Sequence, residues 1–163
     1  MKLPFSKTPS GIHRKRQMSE QNYLLDANII SEVIKNAPSF SVIKKLTEHS
    51  SDCCMSVFTL HELLYGAERL PESRWKTELL KFINDDVCDN FPVIGYSEAD
   101  ARMHAEMRAA LEKKGIVLPY GDSQIAAIAV TNALTLVTRN EKHFEPLKDE
   151  FGLKLENWFT DEA

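Results

Sequence analysis

No stretch of this chain is long and apolar enough to cross a bilayer. The run Ile125 to Val130 falls far short of the ~20 residues a spanning helix needs. A signal peptide's apolar segment is missing too, since only Leu3, Phe5 and Ile12 are bulky and apolar before Met18. With no membrane contact indicated, the protein is expected in the cytoplasm. Cysteine is scarce: Cys53, Cys54 and Cys88 make an odd count without C-x-x-C spacing, so neither a disulfide framework nor a zinc site is supported, and the three read as buried thiols. An excess of positive charge is also lacking, the net charge being −4, so bulk attraction to nucleic acid is not indicated. The charge is nevertheless unevenly spread. Residues 1–20 hold five basic residues, Lys2, Lys7, Arg14, Lys15 and Arg16, against Glu20, a net of +4 that leaves −8 on the remaining 143. Such an arm either neutralises phosphates or is a solvated, disordered leader ahead of a start at Met18. Repeats, low-complexity tracts and linkers are absent, so residues 21–163 read as one domain. Its 43% hydrophobic and 27% charged shares are those of an ordinary globular protein.

What is present is an alternation of short apolar runs and helical periodicities. Tyr23, Leu24 and Leu25 form a continuous apolar run, the pattern of a strand buried on both faces of a parallel sheet, and Asp26 stands at its end. Asp26 or Asn28 is placed to cap the helix that Ile29, Ile30, Val33 and Ile34 begin. Val42, Ile43 and Leu46 mark a second short helix after Pro38, and residues 53–58 a second strand. A helix is then expected near Thr59, where Thr59 and Glu62 match a capping box. Beyond Pro71, Trp75, Leu79, Leu80, Phe82 and Ile83 give another amphipathic helix; its stripe reads as core, or, with Leu63, Leu64 and Leu70, as a groove for a partner. Residues 91–96 suit a third strand, near a sheet edge because of Pro92. Ser97 then caps a helix to about Lys114, with Asp100 in the cap. Gly115 ends that helix, Asp122 opens the next, LTLVT makes a fourth strand ending at Thr138, and LKLENW a short last one. The order predicts an α/β domain of three layers, α/β/α, with a mainly parallel sheet.

Asp26, Glu62 and Asp122 each fall at the start of a predicted helix, so one crevice at the strand ends can gather all three. Converging carboxylates repel, and some must take up protons unless a cation compensates. Mg²⁺ or Mn²⁺ suits carboxylate and water oxygen and bridges to phosphate, which points to phosphodiester chemistry. An aspartyl phosphoacceptor of receiver type needs an acidic pair at the first strand's end and a lysine after a late strand, and neither is seen.

Over roughly residues 22–159 these segments resemble the PIN-domain nucleases, and within them the VapC toxins of type II toxin–antitoxin systems. The likeness lies in YLLDANIIS, SVFTLHELLYGAERL, EMRAALEKKG followed by GDSQIAAIA, TLVTRNEKHF and GLKLENWF, in that order and spacing. The resemblance implies a Mg²⁺-dependent endoribonuclease, with Mn²⁺ able to substitute, whose metal-binding acids are Asp26, Glu62 and Asp122. It also implies a VapB-type antitoxin that blocks the site, and a homodimer is expected. EMRAALEKKG and LENWF resemble the branch that cuts initiator tRNA in its anticodon stem-loop. Three departures stand out: Ala27 replaces the family's threonine, removing a hydroxyl near Asp26; Gly121 precedes Asp122 where asparagine is frequent; and His143 takes the fourth acidic position. Asn140 occupies the family's polar position, and Asn28 follows the first acid. The competing reading is a PIN scaffold weakened by His143 that binds or assembles without cleaving.

Overall fold

Tyr23–Leu25 forms the central strand, β1, of a five-stranded sheet because its two leucines serve two different cores. The computed structural model describes residues 21–159, so the basic arm of residues 1–20 lies outside the described residues. β1 pairs in parallel with β2 (Cys53–Ser56) on one side and β4 (Thr135–Val137) on the other. β3 (Val93–Ile94) and β5 (Lys154–Glu156) complete the order β3-β2-β1-β4-β5, every pairing parallel. Successive side chains of a strand point to opposite faces. Leu25, Met55 and Val137 accordingly enter one core, while Leu24, Cys54 and Leu136 enter the other. Both leucines are fully buried, each worth about 1.5–3 kcal/mol.

Helices cover both faces, as the sequence predicts. The first layer holds α1 (Ala27–Ile30), continued by a 3₁₀ turn Ser31–Ile34, then α2 (Phe40–Glu48), α3 (Val57–Glu68) and α4 (Arg74–Phe82). α4 runs on through a π turn, Ile83–Val87, into the short α5 (Cys88–Asn90). The second layer holds α6 (Glu98–Lys113), α7 (Tyr120–Thr131) and α8 (Glu141–Phe151). Among the described residues no helix is long and apolar enough to cross a membrane. Cys53 and Cys54 are buried, and burial pushes the Cys54 thiol up to about 12; Cys88 is half-buried.

Besides β3, which spans only Val93–Ile94 of residues 91–96, two elements differ from the sequence reading. Residues 53–58 do not continue as strand, because the Ser56 side chain accepts the Thr59 amide at 3.1 Å and starts α3 at Val57. Thr59 is therefore already inside the helix, and its hydroxyl donates instead to the Leu25 carbonyl at 3.2 Å. α8 is the second: its charged EKHFEPLKDE run and internal Pro146 hide a stripe made by Phe144 and Leu147. The capping box at Ser97 and Asp100 is as expected. Asp100 donates its amide to Ser97 Oγ at 3.2 Å, and its carboxylate accepts the Ser97 amide at 2.7 Å.

The chain leaves β1 toward β2 on one side and later reaches β4 on the other. β1 and β4 thus flank the point where strand order reverses, and a crevice opens there beyond their carboxyl ends.

Candidate active site

Asp26 fills that crevice's floor. Only 8% exposed, it is both a helix cap and a site residue: Oδ1 accepts the Ala27 amide at 2.8 Å, while Oδ2 accepts from the Thr138 hydroxyl at 2.7 Å and from Asn28 Nδ2 at 3.1 Å. The Asp26 amide donates to the Val137 carbonyl at 3.0 Å, carrying the β1–β4 register one residue past the strand. The hydroxyl that Ala27 lacks near the first acid is therefore present, supplied across the sheet by Thr138. Sequence reading ended the fourth strand at Thr138 but gave it no partner. The only signal was its position directly after β4.

Asn28 ties the two strand ends together. Its Nδ2 reaches Asp26, and its Oδ1 accepts the Arg139 amide at 3.2 Å. Asn140 stands at the cap position of α8, yet its side chain makes no capping bond; its amide donates to Thr138 Oγ1 at 3.1 Å. Asn140 is exposed.

Glu62 lies in the second turn of α3, too deep for the capping box expected with Thr59, and it makes no such bond. That structural explanation of Glu62 is removed. Asp122 is the third residue of α7, with its side chain 26% exposed. His143, in the first turn of α8, brings Nδ1 to 3.5 Å from Asp122 Oδ2, so the residue at the fourth acidic position does stand beside an acid.

Two of the three acids have their pKa raised in part by the charge of another. Burial raises the Asp26 pKa above the usual carboxylate range, opposed by the Thr138, Ala27 and Asn28 hydrogen bonds and reinforced by the charge of Asp122. Glu62 is raised by loss of hydration and then by the charges of Asp26 and Asp122. Its outer edge faces solvent, which screens the effect. Among the described residues no Lys or Arg pairs with any of the three. Nor do any three His, Cys, Asp or Glu side chains of the described residues close to metal-enclosing distance.

A further face of α3 is largely apolar. Val57, Leu60, His61, Leu64, Tyr65 and Glu68 line an open groove of about 430 Å³. Of the leucines weighed at first for such a groove, Leu63 is core, as the simpler reading had it, and Leu64 lines the groove.

A parallel five-stranded sheet lies between helical layers, and in such sheets ligands bind beyond the carboxyl ends of the strands. Residues 23–148 match the PIN domain family, and the chain belongs to it. PIN-domain nucleases are hydrolases acting on RNA and generally depend on a divalent metal. Among relatives, the chain is 34% identical over 138 residues to the tRNA(fMet)-specific endonuclease VapC of Shigella flexneri, covering 83% of this chain and 97% of that one. It is 31% identical over 136 residues to Ribonuclease VapC2 of Haemophilus influenzae, with the same coverages. Among solved structures, DNA-bound VapBC from Salmonella typhimurium superposes with a TM-score of 0.73 at 30% identity, covering 85% of this chain and 98% of that one.

Proposed function

We propose that the chain is a divalent-metal-dependent endoribonuclease that cleaves tRNA, initiator tRNA being the first substrate to test, and that a VapB-type antitoxin holds it inactive. The observation that carries this reading is that Asp26, Glu62 and Asp122, from three separate segments, lie in one another's field with no Lys or Arg ion pair among the described residues. Their all-oxygen chemistry suits Mg²⁺, with Mn²⁺ as a substitute. Mg²⁺ is usually held by one or two carboxylates and otherwise hydrated, which Asp26, Glu62 and Asp122 would supply. An ion held there by Asp26, Glu62 and Asp122 would supply Lewis-acid polarisation of phosphate and activation of water.

The chain's own side chains supply the rest. Thr138 and Asn28 fix the Asp26 carboxylate, so it enters the reaction oriented. Asp122 and Glu62 complete the negative pocket. The carboxamide of Asn140, which does not cap α8, is assigned to the acids' waters or a substrate oxygen. His143 serves as a donor to a scissile or flanking phosphate, or to the leaving oxygen, rather than as a Mg²⁺ ligand, since Mg²⁺ prefers oxygen. His143→Ala should therefore slow cleavage by about 10², as loss of a proton donor does, with Mg²⁺ affinity unchanged. His143→Asp, adding an oxygen ligand, should tighten metal binding. An alanine variant with wild-type rate would remove His143 from the reaction.

The apolar groove on α3, lined by Val57, Leu60, Leu64 and Tyr65, suits the apolar face of an amphipathic antitoxin segment. The VapBC structure from Salmonella typhimurium pairs a related chain with its partner, which supports such an assembly. The decisive experiment incubates the protein with total tRNA in Mg²⁺ and then in EDTA. Cleavage confined to the Mg²⁺ reaction is expected, whereas intact tRNA in both would leave a scaffold that binds without cutting.

A further inference from the structure

The first turn of α7 sets Asp122, yet no side chain caps it: Pro119 occupies the cap position and makes no capping bond. What holds this turn comes from α6. His104 is buried, with Nε2 2.8 Å from Ser123 Oγ and Nδ1 3.1 Å from the Tyr96 hydroxyl oxygen. Ser123 Oγ also lies 3.1 Å from the Pro119 carbonyl oxygen and 3.0 Å from that of Tyr120. A serine hydroxyl has one proton, and a carbonyl only accepts. Ser123 therefore spends its proton on the carbonyls of its own helix turn and can only accept from His104. A neutral imidazole meets this by donating from Nε2 to Ser123 and accepting the Tyr96 O–H at Nδ1. Burial, and after it the Arg108 charge, hold the His104 pKa below its ordinary value, in keeping with a neutral ring.

The same turn is gripped at a second point. The Tyr120 ring meets the imidazole edge-on at 5.6 Å, and the Arg108 guanidinium lies 4.2 Å above that ring and bonds its hydroxyl. Ser123 is 1% exposed against α6, while its chain neighbour Asp122 looks into the crevice. A rigid contact on one residue therefore dictates where the next one stands.

We propose that His104, acting through Ser123, is a positioning residue that sets the Asp122 carboxylate against Asp26 and Glu62. The proposal rests on the reading of Asp122 as a metal-holding acid. His104 touches none of the reacting groups. Its effect is on the geometry of the acid set and hence on cation affinity. Plain packing of α6 against α7 would need only the ring's volume, whereas positioning needs its donor and acceptor.

Two replacements separate these roles. His104→Leu keeps apolar bulk and loses both polar functions, while His104→Gln offers an amide N–H and a carbonyl spaced much like the two ring nitrogens. The measurement is Mn²⁺ binding to the RNA-free protein by electron paramagnetic resonance, beside the melting temperature. His104→Leu should weaken Mn²⁺ binding about tenfold, as loss of an outer partner of a metal site does, and His104→Gln should restore most of it. Ser123→Ala should match the leucine variant, and the double variant should lose little more, because both act on one contact. Equal Mn²⁺ affinity in the wild type and in the glutamine and Ser123→Ala variants, with Leu no weaker, overturns the proposal; so does a glutamine variant no better than leucine. If leucine fails to fold, unchanged affinity in Ser123→Ala decides against it. Asp122→Asn is the control: should it leave Mn²⁺ binding intact, the reading of the site falls and this proposal with it, whereas a loss there beside intact His104 variants sinks the positioning role alone.

Discussion

Asp26→Asn and Asp122→Asn should each reduce Mg²⁺-dependent cleavage by roughly 10³ or more, since metal-assisted charge stabilisation is worth several kcal/mol and ~4 kcal/mol corresponds to about 10³ in rate. The fold should survive in both, but not equally. Both oxygens of Asp26 accept hydrogen bonds, Oδ1 from Ala27 and Oδ2 from Thr138 and Asn28. An asparagine has one acceptor oxygen, so its NH₂ end must face donors, at a cost of about 1–3 kcal/mol. Asp122 has no such web, and its replacement should leave the metal-free melting temperature close to wild type. A thermal scan with and without Mg²⁺ adds an activity-independent readout. At a hundredfold excess over Kd, binding stabilises by about 2.7 kcal/mol, roughly 5–10 °C for a domain of this size, and both variants should lose most of that shift. Wild-type cleavage by both variants would refute the site.

Glu62→Gln should lower cleavage by about 10² or more, on the scale of about 3 kcal/mol of lost charge stabilisation, while making the metal-free protein more stable at neutral pH. The sign follows from linkage. Glu62 has a raised pKa in the folded chain, by loss of hydration and then by the charges of Asp26 and Asp122. Between its unfolded and folded values the folded state binds more protons, so stability falls as pH rises through that window and the ionised form at neutral pH works against folding. An amide carries no charge, and α3 does not use Glu62 as a cap, so no compensating loss is expected. Chemical denaturation in EDTA at pH 7 should show a higher midpoint for the variant. The difference should shrink toward pH 4, where the native carboxyl is protonated. A lower midpoint, or full activity, would mean that Glu62 serves the helix after all.

How much of this was legible in the chain can be judged residue by residue. The apolar run at Leu24 and Leu25 forecast a strand buried on both faces, and it is one, because each leucine meets a separate core. Ser97 and Asp100 were legible because a capping box is closed by residues three apart, a distance the sequence displays directly. The same rule misled at Thr59 and Glu62. There Ser56, hidden at the end of an apolar run, competed for the helix start and won by capping the Thr59 amide. α8 was missed since proline and many charges obscured a stripe made by Phe144 and Leu147.

Asp26 stood out in the sequence because a strand end followed by a helix is a local pattern, and local periodicity also settled the α/β class. What only the tertiary structure decided are the contacts that join distant positions. Thr138 supplies Asp26 with its hydroxyl across 112 residues, His143 comes to rest beside Asp122, and His104 on α6 grips the residue next to that acid. Those partners are set by strand order and helix packing, which bring together side chains whose separation in the chain carries no record of their distance in space.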